Sequence, residues 1–300
     1  MFDDDPLSVE GAAVADTSSY ISKQDQLEIS TYTWPTRKTP IGVVQIAHGL
    51  AEHGSRYARF AEALNDAGFH VVASDHRGHG SSITDTPGDL GSMGFPALWA
   101  DIEQLGEHLL EIYPDLPLFL FGHSMGSFAA QHVLVERSDL YAGVVLSGSS
   151  AIDVLAAGMA DAPAGDLSVF NSAFEHRTGY EWLSRDEAEV DAYVADALCG
   201  FDLPAATVPA LFTEADKLAD PHKLEEVRSE LPLLIASGSD DPLAGGGQLV
   251  ELLGSRYREA GSSDVTVTIY DGARHEILNE TNRDDVTADI VRWLTDRATG

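Results

Sequence analysis

The chain has 300 residues, of which 44% are hydrophobic, enough for a packed core in one large domain or two small ones. Acidic residues outnumber basic residues by 49 to 18, so the formal net charge is −31. Because such a surface repels phosphates, this charge argues against nucleic acid as a partner and against docking on anionic membranes. Salt screens the repulsion, which fits either a saline habitat or simply a very soluble protein.

Several classes of site and location are disfavoured by what the sequence lacks. It has no apolar run of about 18 residues, so stable membrane insertion is not expected. Its first residues are acidic where a signal peptide would be basic and then apolar, and we expect a cytoplasmic location. Cys199 is the only cysteine, which excludes an internal disulfide and argues against a cysteine-based zinc site. No metal-binding, Walker or dinucleotide motif occurs, so no metal and no cofactor are predicted.

The first half of the chain alternates predicted strands and helices. An acidic stretch rich in small residues, 1–18, is predicted to be a flexible lead-in, and alternation over 20–34 predicts an antiparallel hairpin. Apolar strands then alternate with helices, which favours a parallel sheet covered on both faces. The predicted strands are 42–47, 69–74, 118–121 and 142–147, and the predicted helices are 56–67, 96–112 and 128–134.

This rhythm stops after residue 149. Residues 150–231 contain only helix-like stretches, broken by proline and glycine, with frequent aromatic and aliphatic residues. The segment is too long to be a plain loop, so we expect a helical cap inserted between two parts of one core, 19–149 and 232–300. The predicted strands after the cap are 233–237 and 265–270, and the predicted helices are 248–260 and 284–297.

The sequence GHSMG at 122–126 lies between a predicted strand and a predicted helix. This is the G-x-S-x-G nucleophile elbow in its required context, where a tight turn exposes the central serine. Glycine at 122 and 126 avoids collisions in that turn. We therefore predict that Ser124 is a nucleophile and that the Met125 N–H, at the start of the helix, stabilises a developing oxyanion.

A serine nucleophile needs a histidine base that is held by a carboxylate, and in this fold they follow in the order serine, acid, histidine. His275 follows the last predicted strand and is the predicted base. Asp240 and Asp241 both follow the strand 233–237, and either could be the acid. A second oxyanion donor should come from the loop after the strand 42–47, where the Leu50 amide follows His48 and Gly49.

These motifs together resemble the monoacylglycerol lipase and lysophospholipase group of α/β-hydrolases, often placed with the serine aminopeptidase-like hydrolases. The string HGLAEHGSRY at 48–57 is similar to that group's H-G-x-x-E-H-x-x-R-Y, and the other matching segments are DHRGHGSS at 75–82, the elbow at 122–126, the Asp-Pro pair at 241–242 and His275. The resemblance spans about residues 20–297. It implies the α/β-hydrolase fold, and the arrangement Gly-x-x-Asp-Pro favours Asp241 over Asp240 as the acid.

The resemblance also implies a function. We expect a serine carboxylic-ester hydrolase that acts on a small-molecule ester with an apolar acyl chain, such as a monoacylglycerol, with the acyl chain in the cap. Glu52 and Arg56 match residues that hold the glycerol end of the substrate in that group, although an ion pair that stabilises the loop is an equal alternative. Some relatives carry a second histidine three residues after the catalytic one; here Leu278 stands there, which weakens the case for glycerol preference.

Three alternatives remain open from the sequence. The enzyme could be a carboxylesterase for other bulky monoesters, or a lysophospholipase. A catalytically silent protein of the same fold, binding a ligand or a partner, is the alternative outside enzymes.

Overall fold

The computed structural model describes residues 15–158 and 167–300. Its strands are β1 (Asp16–Ile21), β2 (Glu28–Trp34), β3 (Gly42–Ala47), β4 (Phe69–Ser74), β5 (Leu118–His123), β6 (Gly143–Ser147), β7 (Leu233–Gly238) and β8 (Val265–Tyr270). In these ranges they form one eight-stranded sheet in the spatial order β1-β2-β4-β3-β5-β6-β7-β8. The pairings β1–β2 and β2–β4 are antiparallel, whereas β4 through β8 in that order pair in parallel. The predicted mostly parallel sheet is confirmed.

Helices cover both faces of this sheet. They are α1 (Ala58–Ala67), α2 (Gly94–Ile112), α3 (Met125–Arg137), α4 (Ile152–Gly158), α5 (Glu187–Ala195), α6 (Thr207–Phe212), α7 (Pro221–Leu224), α8 (Gln248–Glu259) and α9 (Arg283–Ala298). Short 3-10 helices lie at Gly54–Tyr57, Gly80–Ser82, Ser138–Leu140, Leu167–Asn171, Glu181–Leu183, Ala215–Leu218 and Ile277–Asn279. Among the described helices, none is long and apolar enough to cross a membrane.

Alternation along the central strands divides the core into two apolar clusters. In β5, Leu118 and Leu120 point to the cluster that also contains residues of α2, α3 and α8. Phe119 and Phe121 point to the opposite face, where α1 and α9 pack. Because both faces of β3 through β7 are buried, these strands read in sequence as apolar runs rather than as alternating patterns.

The chain between β6 and β7 has only helical elements and irregular structure in its described residues, and 159–166 lie outside them. Its inner side is held to the loops that follow β3 and β8. The N–H groups of His275 and Glu276 donate to the carbonyls of Trp182 and Leu183, and the Gly200 N–H and Tyr193 hydroxyl both donate to the Ala51 carbonyl. The helical cap that the sequence predicts over 150–231 stays a prediction.

Two elements begin three or more residues before their predicted start. β1 begins at Asp16, so residues 16–18 pair with β2 instead of belonging to the predicted lead-in over 1–18; residues 1–14 lie outside the described part of the chain. This edge strand is polar and mostly exposed, so its composition carries no apolar signal. α3 begins at Met125, directly after the elbow serine and three residues before the predicted start.

Two buried histidines far from each other give the fold a pH dependence. Burial, with the nearby His79, lowers the pKa of His76 to about 3. His132 stacks on Trp99 with ring centroids 3.7 Å apart, and burial lowers its pKa to about 4 despite the opposing charge of Glu214. Both rings are therefore neutral in the folded protein, whereas in the unfolded protein each imidazole has a pKa of about 6.5. The unfolded state then binds more protons, and stability is lost as the pH falls below that value.

We expect His132→Gln to reduce this pH dependence, because one buried neutral imidazole is removed. Between pH 7 and pH 6 the free energy of unfolding should fall by about 0.7 kcal/mol less in the variant than in the wild type. Urea denaturation at the two pH values measures the difference, with His222→Gln as the exposed control. An unchanged difference between the two pH values in His132→Gln would contradict the assignment.

Candidate active site

Ser124 occupies a one-residue junction between β5 and α3. Its φ of +52° and ψ of −121° are strained for a residue with a side chain. Two glycines allow this turn: a Cβ on Gly126 would lie 2.1 Å from the Ala47 carbonyl oxygen, and one on Gly122 would lie 2.6 Å from the Gly126 carbonyl oxygen. The G-x-S-x-G spacing is therefore a packing requirement here, and it presents Ser124 at the N-terminus of α3.

His275 and Asp241 meet at the carboxyl ends of β8 and β7. The His275 Nδ1 atom lies 2.9 Å from Asp241 Oδ2, and both residues are buried. Asp241 is fixed further by the Ser237 hydroxyl, which donates to Oδ2 at 2.7 Å, and by the Leu243 N–H, which donates to Oδ1 at 2.8 Å. Asp240 is exposed and accepts from the Ser239 hydroxyl instead. The structure thus places Asp241, of the two predicted candidates, against the histidine.

His275 and Asp241 each shift the pKa of the other in the direction that favours the charged pair. Burial alone would raise the pKa of Asp241, but the charge and hydrogen bond of His275 lower it. Burial would lower the pKa of His275, but the Asp241 carboxylate raises it instead. With Nδ1–H donating to Asp241, the Nε2 atom carries the free lone pair, and it has no hydrogen-bond partner among the described residues. His275 is therefore able to accept a proton through Nε2.

The predicted oxyanion donors lie beside Ser124. Leu50 and Met125 line the same cavity as Ser124 and His275. The loop after β3 approaches closely, since a Cβ on Gly49 would be 3.2 Å from the Ser124 Cβ. Ala51 has a positive φ of 55°, which turns the chain just after Leu50. The arrangement fits two backbone amides near one reacting carbonyl, and their role stays a prediction.

A buried carboxylate–arginine bridge, formed by Glu52, Arg56 and Glu276, connects the loops after β3 and β8. Arg56 Nη1 donates to Glu52 Oε2 at 2.6 Å and to Glu276 Oε1 at 2.7 Å, and Nη2 donates to Glu276 Oε2 at 2.8 Å. Glu52 Oε1 also accepts from the Gly49 N–H and from the Tyr57 hydroxyl. Burial would raise the pKa of Glu276, but Arg56 lowers it to about 2. Arg56 and Glu276 therefore form a charged pair.

This bridge bears on both predicted roles of Glu52 and Arg56. Their ionic groups bind each other and Glu276, which supports the alternative that they stabilise the loop. Glu52 nevertheless lines the cavity beside Ser124, and both residues line an adjoining cleft together with Leu278. Binding of the substrate headgroup stays a prediction for this pair.

Sequence reasoning missed Glu276. In a chain with 49 acidic residues, one more carboxylate next to the candidate histidine attracts no attention. The sequence carries no signal for this role, because Arg56 and Glu276 lie 220 residues apart in the chain and meet only through the fold.

The cavity that contains Ser124 is mostly apolar. Its apolar wall comes largely from the chain between β6 and β7. The lining residues from that segment are Leu155, Phe170, Trp182, Leu183, Tyr193, Val208, Leu211 and Phe212. Trp182 also packs on the His275 ring, with centroids 4.9 Å apart. Such a wall suits an aliphatic chain.

The segment DHRGHGSS stabilises the loops and does not supply the base. Asp75 accepts from the Gly54 and Ser81 N–H groups at 2.8 and 2.6 Å. Arg77 pairs with Asp25 and Asp101. These contacts form a network that stabilises the loops.

Comparison with known proteins agrees with this geometry. The family model described as Serine aminopeptidase, S33 (Hydrolase_4) matches residues 38–282. The human monoglyceride lipase is 30% identical over 281 residues, which cover 88% of this chain and 86% of that protein. The monoacylglycerol lipase of Mycolicibacterium smegmatis is 30% identical over 87% of this chain and 90% of its own length. A thermostable carboxyl esterase from Bacillus coagulans, solved with glycerol, superimposes with a TM-score of 0.83 at 28% identity, covering 95% of this chain and 99% of that one.

Asp241→Asn should reduce the hydrolysis of p-nitrophenyl esters by about 10³- to 10⁴-fold, because the amide no longer holds the His275 tautomer that exposes the Nε2 lone pair. The neighbouring Asp240→Asn is the matched control and should lose less than about threefold, since its side chain is exposed. Steady-state kcat/KM values decide between them. A larger loss in Asp240→Asn would mean that the wrong neighbour is assigned.

Proposed function

Because the chain belongs to the serine aminopeptidase S33 family of hydrolases, we propose that it is a serine ester hydrolase, monoacylglycerol lipase-like, that cleaves monoacylglycerols or similar single-chain esters. One observation carries this proposal: Ser124 and His275, the latter paired with Asp241, open onto a single apolar cavity. The monoglyceride lipases and the carboxyl esterase that match along most of the chain support the same chemistry.

The reaction follows from the placement of these groups. Ser124 Oγ attacks the ester carbonyl carbon while His275 Nε2 takes the hydroxyl proton, and Asp241 stabilises the imidazolium. The Leu50 and Met125 amides hold the oxyanion of the tetrahedral intermediate. Collapse of the intermediate expels the alcohol, which takes the proton from His275, and leaves an acyl-enzyme on Ser124. Water activated by His275 then releases the fatty acid and restores the serine.

The two ends of the substrate have different surroundings. The acyl chain fits the apolar wall that the chain segment connecting β6 to β7 supplies. The alcohol faces Glu52 and the adjoining cleft. We propose that Glu52 and Arg56 bind headgroup hydroxyls in addition to stabilising the loop, because a carboxylate can accept hydrogen bonds beyond those it already receives.

A lysophospholipid is a less suitable substrate than a neutral monoacylglycerol. Arg56 is already paired with Glu52 and Glu276, so the bridge carries a net charge of −1. This charge repels the phosphate of a lysophospholipid headgroup but not a glycerol. Other bulky neutral monoesters remain the closest alternative, and a panel of p-nitrophenyl esters and monoacylglycerols of increasing chain length separates them.

We expect Ser124→Ala and His275→Ala each to lower kcat by about 10³-fold or more while leaving the fold intact. A fluorophosphonate probe should label the wild type but not Ser124→Ala, and Ser19→Ala on the exposed edge strand serves as the control. Turnover near the wild-type rate in a folded Ser124→Ala variant would refute the mechanism. The absence of labelling in the folded wild type would instead favour the binding-protein alternative.

Glu52→Gln and Arg56→Met should lower kcat/KM on a monoacylglycerol more than on the p-nitrophenyl ester of the same acid. Both substrates lose the loop stabilisation, but only the monoacylglycerol also loses a charged hydrogen bond, a further factor of about 10 to 150. The ratio of the two kcat/KM values isolates the headgroup contribution. Equal losses on both substrates would show that the bridge only stabilises the loop.

A further inference from the structure

Three side chains that commonly bind zinc converge near the loop after β3, outside the machinery described above. They are His53 on that loop, Asp196 at the end of α5, and Cys199 three residues later. In the part of the chain that the structure describes, this is the group of histidine, cysteine and acidic side chains whose ligand atoms lie close enough for one ion, all within 4.8 Å of one another. We propose that these three residues bind a divalent zinc-type cation and thereby tie the loop to the β6–β7 insertion.

The donor set and its spacing fit such an ion. Imidazole nitrogen, thiolate sulfur and carboxylate oxygen are the three ligand types that zinc prefers, at about 2.0–2.3 Å. His53 Nε2 is already 2.9 Å from Asp196 Oδ2, close to the separation of two ligands on one ion. The Cys199 sulfur lies within 4.8 Å of both of these ligand atoms, so it has to move inward to enter the same coordination sphere. Three protein ligands leave a fourth position for water.

Each ligand is also oriented by a second contact. His53 Nδ1 is 2.9 Å from the Ser55 hydroxyl, which fixes the ring so that Nε2 faces the other two residues. Asp196 Oδ1 accepts from the Leu198 N–H at 2.8 Å, which leaves Oδ2 to face His53. The Cys199 N–H donates to the Asp196 carbonyl, so these two ligands move as one unit. The arrangement is held in place before any ion arrives.

The local charge favours a cation. Asp196, Glu52 and Glu276 carry three negative charges near Cys199, and Arg56 carries one positive charge, which leaves a surplus of two negative charges. Burial raises the pKa of the Cys199 thiol well above its ordinary value, so the residue keeps its proton until an ion binds. Binding of the dication then forms the sulfur–metal bond and releases that proton to solvent. About a third of the Asp196 side chain is exposed, which provides an entry path.

The sequence alone could not indicate this site. Its spacing matches no zinc motif, because His53 lies more than 140 residues before Asp196 and Cys199 and meets them only through the fold. The plain reading is a His53–Asp196 hydrogen bond that holds the insertion, with Cys199 as an apolar neighbour. The two readings differ in whether the sulfur takes part.

Cobalt(II) tests that difference directly, because Cys199 is the only cysteine in the chain. Titration of the reduced wild-type protein with Co²⁺, in a buffer with a non-thiol reductant, should produce a thiolate-to-cobalt charge-transfer band that saturates at one equivalent. Zn²⁺ should displace the cobalt, remove the band and raise the melting temperature. Cys199→Ser should abolish the band, and His53→Gln or Asp196→Asn should weaken cobalt binding at least tenfold. His222→Gln controls for exposed ligands.

The outcome does not depend on the catalytic activity. No charge-transfer band in the wild-type protein at saturating cobalt would overturn the proposal, whatever the variants do. A band of unchanged affinity in a folded His53→Gln variant would also overturn it. Zinc binding that is unaffected by Cys199→Ser would show adsorption to the acidic surface only. Circular dichroism of each variant confirms that a lost signal reflects lost ligands.

Discussion

The close contact between the first turn of α3 and the end of β3 is the constraint on which the site depends. Gly126 approaches the Ala47 carbonyl so closely that no side chain fits between them. This contact sets the position of Ser124 relative to the loop that carries Leu50. It also fixes Met125 at the start of a helix whose dipole favours negative charge there. The strain at Ser124 is therefore balanced by packing between two elements of the core, not by the loop itself.

The carboxylate–arginine bridge extends this order across the sheet. β3 and β8 are not neighbours, because β5, β6 and β7 lie between them. Arg56 connects the loops after these two strands. The loop that carries Leu50 and the loop that carries His275 therefore cannot shift independently. A buried ionic group is costly unless it is fully paired, and here each charge has a partner. Removing Arg56 would leave two carboxylates without a compensating charge near His275.

The strands and the elbow could be predicted from sequence because their signals are local. The predicted bounds of β3, β4 and β8 match the observed ones, and GHSMG is recognised from its own spacing and from the strand and helix on either side of it. The edge strand β1 could not be predicted, because an exposed polar strand is defined by its partner and not by its composition. Glu276 and the cluster at His53 depend on contacts over long sequence distances. A single sequence contains no direct record of such contacts.

The insertion between β6 and β7 does more than form a wall of the cavity. The backbone carbonyls of Trp182 and Leu183 accept hydrogen bonds from the N–H groups of His275 and Glu276. The Trp182 indole ring packs on the His275 imidazole. The segment that forms the apolar wall of the cavity therefore also helps to hold His275 in place. Exchanging this segment between related enzymes would alter the catalytic rate together with the substrate range. In evolution the two properties must therefore change in concert, and a chimera would need the matching loop after β8 as well.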